Sequence, residues 1–301
     1  MTLPKGWLKR WQMKSKDEVL ITTNGPTLQI KPASYSPQEM TAIVTCDDKK
    51  SEWIVREIIG AYISGADKII LSATRITPDQ NETIRQTVQQ LFGFEILEES
   101  SSVIVARNVV DDTLFPVAEN TRRVFDITRS MLVDALRAAQ EGDRELGNDV
   151  VLRDQEVNKL VYTIERRFTQ VAGGRSEGNL NEINYYSGVA TQLERIGDRA
   201  VIIGNLATKE LTGPVQVSNS FPAIVDGITG LFDRVGELLK NPGMTAAHEI
   251  LDSNSELEPL MYSSKRIKQT YEGALVEDTL DRLRGRLMNV AELTIDHLMQ
   301  S

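Results

Sequence analysis

Two carboxylates in the middle of the chain have a spacing that could support chemistry. Glu194 and Asp198 are four residues apart in a stretch with helical periodicity, with Gly197 between them. Residues four apart lie on one helix face, about 6 Å apart at Cβ, where like charges repel by a few tenths of a kcal/mol. A glycine inside a helix costs about 1 kcal/mol relative to alanine, which a close backbone or a bound ion would explain. The pair is therefore either a solvated acidic edge neutralised by Arg195 and Arg199, or half of a cation site.

A second oxygen-bearing pair lies on the preceding predicted helix. Asp154 and Asn158 are also four residues apart and stand beside an apolar stripe. A set of Asp154, Asn158, Glu194 and Asp198 offers only oxygen ligands, which suit magnesium, calcium, manganese or iron better than zinc or copper. Buried carboxylates that face each other without a cation would repel or take up protons. A metal site between these two helices and a solvated acidic edge are the two alternatives at this point.

The helical period that positions these residues extends from about residue 115 to the end of the chain. Glycine- and proline-containing breaks divide it into six predicted helices. They lie near residues 116–140, 143–172, 180–208, 221–240, 244–272 and 275–299. The arrangement of three plus three helices indicates an internal duplication, with bundles at 116–208 and 221–300.

The segment ahead of the helices alternates strands and helices. Residues 39–111 are predicted to form a small α/β domain, with strands at 41–46 and 68–72, helices at 51–64 and 79–92, and a hairpin of strands at 94–98 and 103–108. The segment lacks a Gly-x-Gly-x-x-Gly run and a Walker-type phosphate loop. Its predicted role is scaffolding, or recognition of a small ligand or partner.

Residues 1–34 carry an excess of positive charge, with Lys5, Lys9, Arg10 and Lys14 near the start. We predict a short helix there, followed by a β-hairpin with a turn at Asn24 and Gly25.

Composition limits the class of protein. The chain has 301 residues, of which 41% are hydrophobic, and a formal net charge of -9. No apolar run approaches the roughly 18 residues of a membrane span, and no signal peptide is evident, so we expect a cytoplasmic protein. Cys46 is the single cysteine, which rules out an internal disulfide and argues against a thiolate metal cage. The acidic balance argues against polyanion binding by the whole chain.

The motif Glu194-Arg195-Ile196-Gly197-Asp198-Arg199-Ala200, preceded by Asp154-x-x-x-Asn158, resembles the PhoU family of phosphate-uptake regulators. The resemblance implies a mainly α fold of two tandem three-helix bundles, here preceded by the small α/β domain and the hairpin segment. It implies acidic motifs that hold metal clusters, with iron the expected metal, and negative regulation of phosphate transport. A phosphate transporter or a sensor kinase would be the partner, and we expect a homodimer.

The sequence departs from the family pattern at several metal positions. Asn158 stands where the pattern usually has Asp. In the second bundle the corresponding positions are held by Asn254, Glu258, Met288 and Glu292, so a thioether replaces one carboxylate. We therefore predict a weaker second site at Asn254, Glu258 and Glu292.

The first 34 residues resemble the AbrB/SpoVT type of swapped-hairpin DNA-binding module. The matching stretches are Leu3-Pro4-Lys5, Lys16-Asp17-Glu18-Val19 and Leu28-Gln29-Ile30-Lys31-Pro32. The resemblance implies an interlocked dimer in which Lys5, Lys9, Arg10 and Lys14 meet DNA phosphates. The strand that precedes the helix in that module has no counterpart here, and a small dimerisation or docking hairpin is the alternative.

The sequence lacks the motifs expected of two classes of enzyme. Di-iron oxidases of the helix-bundle kind use Glu-x-x-His motifs, and neither His248 nor His297 has an acidic residue three positions before it. A formal Gly-x-Ser-x-Gly run at residues 174–178 joins two predicted helices instead of following a strand. We therefore predict a non-enzymatic regulator. A DNA-binding repressor of phosphate genes is the first alternative, and a metal-dependent enzyme is the second.

Overall fold

The computed structural model describes residues 2–24, 27–34, 39–111, 114–208, 217–264 and 270–300. The chain forms two compact units, Met1–Glu39 and Met40–Ser301. Each unit has its own secondary structure and is described separately below.

The first unit contains one short helix and one hairpin. Helix α1 spans Lys5–Arg10, and strands β1 (Val19–Asn24) and β2 (Thr27–Pro32) pair in antiparallel register. Pro4 precedes the helix as its N-cap, where the fixed φ of proline is compatible with the first turn. The predicted helix and hairpin are thus present, while Gly25 of the predicted turn lies outside the described residues.

The second unit begins with a four-stranded sheet and two helices. Its elements are β3 (Thr41–Thr45), α2 (Ser51–Ile63), β4 (Lys68–Ser72), α3 (Pro78–Gln89), β5 (Phe94–Glu99) and β6 (Val103–Asn108). The strand order is β3-β4-β6-β5, and only the β3–β4 pair is parallel. Apolar residues of the helices and of alternate strand positions form one buried cluster, which includes Ile54, Ile58, Ile69, Leu71 and Ile104. Residues 40–108 are called the α/β part below.

The remaining helices form the bundles. The first bundle consists of α4 (Val117–Glu141), α5 (Arg144–Ala172) and α6 (Leu180–Thr208). The second consists of α7 (Phe221–Lys240), α8 (Met244–Asp252), α9 (Asn254–Ser264) and α10 (Tyr271–Gln300). Both bundles share one hydrophobic core, in which Phe125 of α4 meets Phe232 of α7 at a ring distance of 5.7 Å. Among the described helices, none combines the length and apolar character that crossing a bilayer requires.

The prediction of one continuous helix at 244–272 is wrong. The chain turns at Ser253, and the described part of the segment forms α8 and α9. The Ser253 hydroxyl donates to the Ile250 carbonyl at 2.6 Å, a local bond that competes with helical bonding. Pro259 lies inside α9, where it removes an N–H donor and crowds the preceding turn. Residues 265–269 of the predicted helix lie outside the described residues.

Helices α5 and α6 approach each other at backbone distance. A Cβ atom added to Gly147 of α5 would lie 2.7 Å from the Gly204 carbonyl oxygen of α6, which is closer than nonbonded contact allows. Only glycine fits there without a shift of one helix. This close crossing brings the oxygen-bearing residues of the two helices onto neighbouring surfaces.

Candidate metal centre

Asp154 of α5 lies against the backbone of α6. A Cβ atom added to Gly197 would lie 3.4 Å from Asp154 Oδ1, so the glycine between Glu194 and Asp198 leaves room for this carboxylate. The other carboxylate oxygen, Oδ2, accepts a hydrogen bond from Asn158 Nδ2 at 2.9 Å. Asp154 Oδ1 is buried and has no hydrogen-bond partner within the described residues.

The carboxylates of the two helices are electrostatic neighbours. Burial, together with the charge of Asp198, raises the pKa of Asp154 to about 6, against the effect of its hydrogen bond with Asn158. Burial, together with Asp198 and Asp154, raises the pKa of Glu194 to about 7, with Arg195 acting in the opposite direction. Burial and like charge both disfavour an ionised carboxylate. The helix pair therefore concentrates negative charge that it does not neutralise by itself.

The predicted arginine counterions are not in place. Within the described parts of the chain, neither Arg195 nor Arg199 forms an ion pair with Glu194 or Asp198. Asp198 is exposed, whereas Glu194 is half-buried. Arg195 still acts on Glu194 through its charge, and the exposure of Asp198 is compatible with a solvated edge as well.

The side chains of Asp154, Asn158, Glu194 and Asp198 offer the kind of ligand atom that a hard cation prefers. Each side chain offers oxygen, and the orphaned Asp154 Oδ1 is a buried acceptor that a cation would satisfy. In the described parts of the chain, no three His, Cys, Asp or Glu side chains already stand in a metal-binding arrangement. Cation binding would therefore require the exposed Asp198 side chain to turn inward, and the Asn158 amide to present its oxygen instead of its nitrogen.

Two further residues of α5 lie near this acidic group and were not predicted. Burial raises the pKa of Glu165, and the charge of Glu165 contributes to the raised pKa of Glu194. The pKa of Tyr162 is raised by burial and by Glu194, Asp154, Glu165 and Asp198. A signal was present in the sequence, since Tyr162 follows Asn158 by four residues, as Asn158 follows Asp154.

The predicted second site has a different local structure. Asn254 begins α9 directly after the turn at Ser253, whereas its counterpart Asp154 lies in the middle of the continuous α5. Asn254 Oδ1 is buried without a hydrogen-bond partner in the described residues. Glu258 and Glu292 are exposed, and Met288 is buried. A weaker second site stays a prediction.

The predicted DNA-contacting residues lie on the first unit. Lys5, Lys9 and Arg10 are exposed on α1, and Lys14 is exposed just after it. Their exposure is compatible with phosphate contacts, and DNA binding stays a prediction.

Comparison with known proteins bears on the helical part of the chain. Residues 121–207 match the family model of the PhoU domain. These residues cover most of α4, α5 and α6, and include Asp154, Asn158, Glu194 and Asp198. No curated protein matches the chain by sequence.

Two solved structures have a similar fold. PhoU from Pseudomonas aeruginosa superposes with a TM-score of 0.56 at 16% identity, covering 62% of this chain and 96% of that one. The phosphate transport system regulatory protein PhoU from Streptococcus pneumoniae gives 0.54 at 13% identity, covering 62% and 94%. Residues 121–207 therefore match the PhoU domain family, and the helical part of the chain has the fold of PhoU proteins.

Proposed function

We propose that this protein is a non-enzymatic regulator that restrains phosphate uptake and carries a hard cation in its first bundle. The family match of residues 121–207 carries the regulatory part of the proposal. The similarly folded protein of Streptococcus pneumoniae, a phosphate transport system regulatory protein, supports it. The orphaned buried oxygen of Asp154 supports the cation.

The cation would be held by Asp154, Asn158, Glu194 and Asp198. Iron is the metal that the family resemblance implies, and magnesium, calcium or manganese would suit the same oxygen donors. When bound, the cation supplies positive charge that removes the repulsion among three carboxylates. The four side chains would connect α5 to α6 through the cation, and the carboxyl groups must be deprotonated to bind it. The raised pKa values of Asp154 and Glu194 therefore predict tighter binding as the pH rises through 6 and 7.

The proposed partners are a phosphate transporter, a sensor kinase, or both, contacted from the cytoplasm by a homodimer. Negative regulation requires that the protein bind such a partner differently when phosphate is abundant. A cation that ties α5 to α6 would set the surface on which that contact is made.

Phosphate uptake in cells tests this function. Deleting the gene in its native host should raise the uptake of radiolabelled phosphate in phosphate-rich medium, and the wild-type gene should restore it. The double variant Asp154→Asn with Glu194→Gln should fail to restore normal uptake. Glu182→Gln removes an exposed carboxylate of the same helix α6 and should restore it fully. Unchanged uptake after deletion would contradict the proposal.

A DNA-binding repressor is the second candidate, favoured by the exposed basic residues of the first unit. Phosphate contacts release counterions, so binding to promoter DNA should weaken steeply with salt. Replacing Lys5 and Lys9 by Ala should reduce both affinity and salt dependence. A full-length protein that binds no such DNA at low salt would eliminate this candidate.

A further inference from the structure

The four-stranded sheet of the α/β part has two edges that differ in chemistry. Strands β3 (Thr41–Thr45) and β5 (Phe94–Glu99) lie at the two ends of its strand order. Strand β5 is interrupted by a bulge between Ile96 and Glu98, and three of its six residues are glutamates. Bulges and charged side chains are the features by which proteins keep edge strands from pairing with another chain. The β5 edge is therefore protected against such pairing.

Strand β3 has neither of these features. Its sequence, Thr-Ala-Ile-Val-Thr, contains no charged residue and no proline, and its register with β4 is unbroken. Ile43, in the middle of the strand, is 69% exposed. An apolar, uncharged edge strand of this kind is a template for pairing with a further strand. The sheet thus leaves one of its two edges open to another chain.

The outer edge of β3 presents the backbone groups of alternate residues. The N–H of Cys46, directly after β3, donates to the Ser72 carbonyl of β4 at 2.8 Å, so the even-numbered residues here face β4. Backbone groups of successive strand residues point to opposite sides of the strand. The N–H and C=O groups of Thr41, Ile43 and Thr45 therefore face outward, and among the described strands none pairs with them.

The side chains of β3 are self-complementary in an antiparallel pair. If two copies pair about a two-fold axis at Ile43, this residue lies opposite Ile43 of the second copy, and Thr41 lies opposite Thr45. Pairs of β-branched residues and pairs of threonines are favourable across strands. Each of the outward-facing residues would then exchange both of its backbone hydrogen bonds with the residue opposite.

A row of apolar side chains runs across the sheet to this edge. Ile43 is in register with Ile70 of β4, and Ile70 with Val105 of β6. The row lies on the face opposite α2 and α3, because the neighbouring Ile69 and Leu71 belong to the core that these helices cover. Val105 is buried and Ile70 is half-buried, whereas Ile43 is exposed. Pairing of two β3 strands would continue the row into the second copy and cover Ile43.

We propose that β3 is an interface between two copies of this chain, which pair antiparallel about Ile43 and join their sheets. This inference rests on the homodimer of the proposed function, to which it assigns a surface, and it does not depend on the cation. A second copy fits this edge better than a charged segment of another protein does. Such a segment would find no opposite charge on β3, whereas the symmetric pair places no like charges opposite each other.

Cysteine cross-linking of the full-length protein tests the register of this pair. Opposite residues in a hydrogen-bonded antiparallel pair have Cα atoms about 5.5 Å apart, which is within the range of a disulfide. Thr41 of one copy would lie opposite Thr45 of the other, whereas the two Thr41 residues would be about 14 Å apart along the strand. Thr41→Cys and Thr45→Cys chains would be produced singly and by co-expression, oxidised with copper phenanthroline, and separated by non-reducing electrophoresis. The wild type controls for Cys46, which is fully buried.

We expect a disulfide-linked dimer from the co-expressed chains and none from either chain alone. Ile43→Lys in both chains should slow the cross-linking about tenfold or more, because two ammonium groups would then face each other. Leu97→Lys is the matched control, because Leu97 is an exposed apolar residue of the protected strand β5, and it should leave the rate unchanged. Circular dichroism would check that both lysine variants are folded.

A lack of cross-linking in the co-expressed chains, or equal cross-linking in Thr41→Cys alone, would overturn this interface. Sedimentation of the wild type then separates the two proposals. A dimer would show that the homodimer of the proposed function uses another surface, and a monomer would overturn the homodimer as well.

Discussion

Asp154 and Glu194 are carboxyl groups of the first bundle whose ionisation is unfavourable in the folded, metal-free protein. Both have pKa values raised by burial and by neighbouring carboxylates, and Asp154 Oδ1 has no hydrogen-bond partner in the described residues. A group whose folded pKa exceeds its unfolded pKa favours the folded state at low pH. That contribution is fully present below the unfolded pKa and is lost as the pH rises through the folded pKa. The metal-free protein should therefore lose stability as the pH rises from about 4 to about 7.

Glu194→Gln tests this charge cost at a single residue. Glutamine resembles the protonated acid, so the variant and the wild type should unfold with similar free energies at pH 4. At pH 8 the metal-free variant should be more stable by roughly 1–3 kcal/mol, a range that allows for partial solvent screening. Urea denaturation in the presence of a chelator measures both values. Glu182→Gln, at an exposed site on the same helix, should not become more stable than the wild type at pH 8. If the wild type were as stable as Glu194→Gln at pH 8, the ionised Glu194 carboxylate would not destabilise the fold.

The sequence predicted these carboxylates because spacing alone places Glu194 and Asp198 on one helix face. It did not predict Tyr162 or Glu165 as neighbours of the group. Tyr162 reads as one more aromatic residue beside the α5 core stripe, and its proximity depends on contacts with a different part of the fold. The spacing of four places Tyr162 one helical turn after Asn158, but it gives no information about contacts between α5 and the α/β part.

At the scale of elements, the α5–α6 crossing determines the site. The backbones meet at Gly147 and Gly204, and Gly197 gives space to Asp154 farther along the same helix pair. The cost of these glycines in helix propensity is offset by the close approach that they allow. A side chain at the crossing would separate the helices that carry the carboxylates.

Gly147→Ala should therefore destabilise the protein by about 1–3 kcal/mol, as expected for overpacking against backbone. Gly285 of α10 is the matched control, because an added Cβ atom there meets nothing within 4 Å. Gly285→Ala should stabilise by up to about 1 kcal/mol through helix propensity. Thermal unfolding of the two variants should shift in opposite directions, and equal shifts would argue against a close crossing.

The periodic pattern predicted most helices and strands of the chain, because the long helices carry apolar stripes and are separated by segments that contain glycine or proline. The break between α8 and α9 was missed because apolar residues continue in helical register through it. Ser253 is a common residue in helices, and its hydrogen bond to the Ile250 carbonyl becomes visible only in the folded chain.

At the scale of the second unit, Arg166 contributes to the contact between the α/β part and the first bundle, together with Thr163 and Arg175. Arg166 resembles an ordinary helix charge in the sequence, yet it is fully buried between Tyr62 and Phe94. Nothing in its sequence neighbours indicates this, because the partner groups include backbone carbonyls about 100 residues earlier in the chain. For this reason the sequence pattern did not predict that the α/β part packs beside α5.

Arg166→Met should loosen this interface. The change removes the guanidinium donor from the Ala66 carbonyl and from the Tyr62 carbonyl, which keeps only the Gly65 N–H, at a cost of about 2–4 kcal/mol. Hydrogen exchange followed by mass spectrometry should show faster exchange in α2 and β5. Arg123→Met removes an arginine of α4 that pairs with Glu156 at the surface and should leave exchange in α2 and β5 unchanged. Equal exchange in wild type and Arg166→Met would contradict the role of Arg166 in holding the α/β part.

Calorimetric titration of Mn²⁺ into the metal-free, full-length protein at pH 7.5 tests the cation site most directly. The wild type should bind the ion saturably and release protons, since Glu194 is partly protonated in the metal-free state. The double variant Asp154→Asn with Glu194→Gln should lose at least tenfold in affinity, while Glu182→Gln should bind as the wild type does. No saturable binding by the wild type, or equal binding by the double variant, would contradict a cation site between α5 and α6.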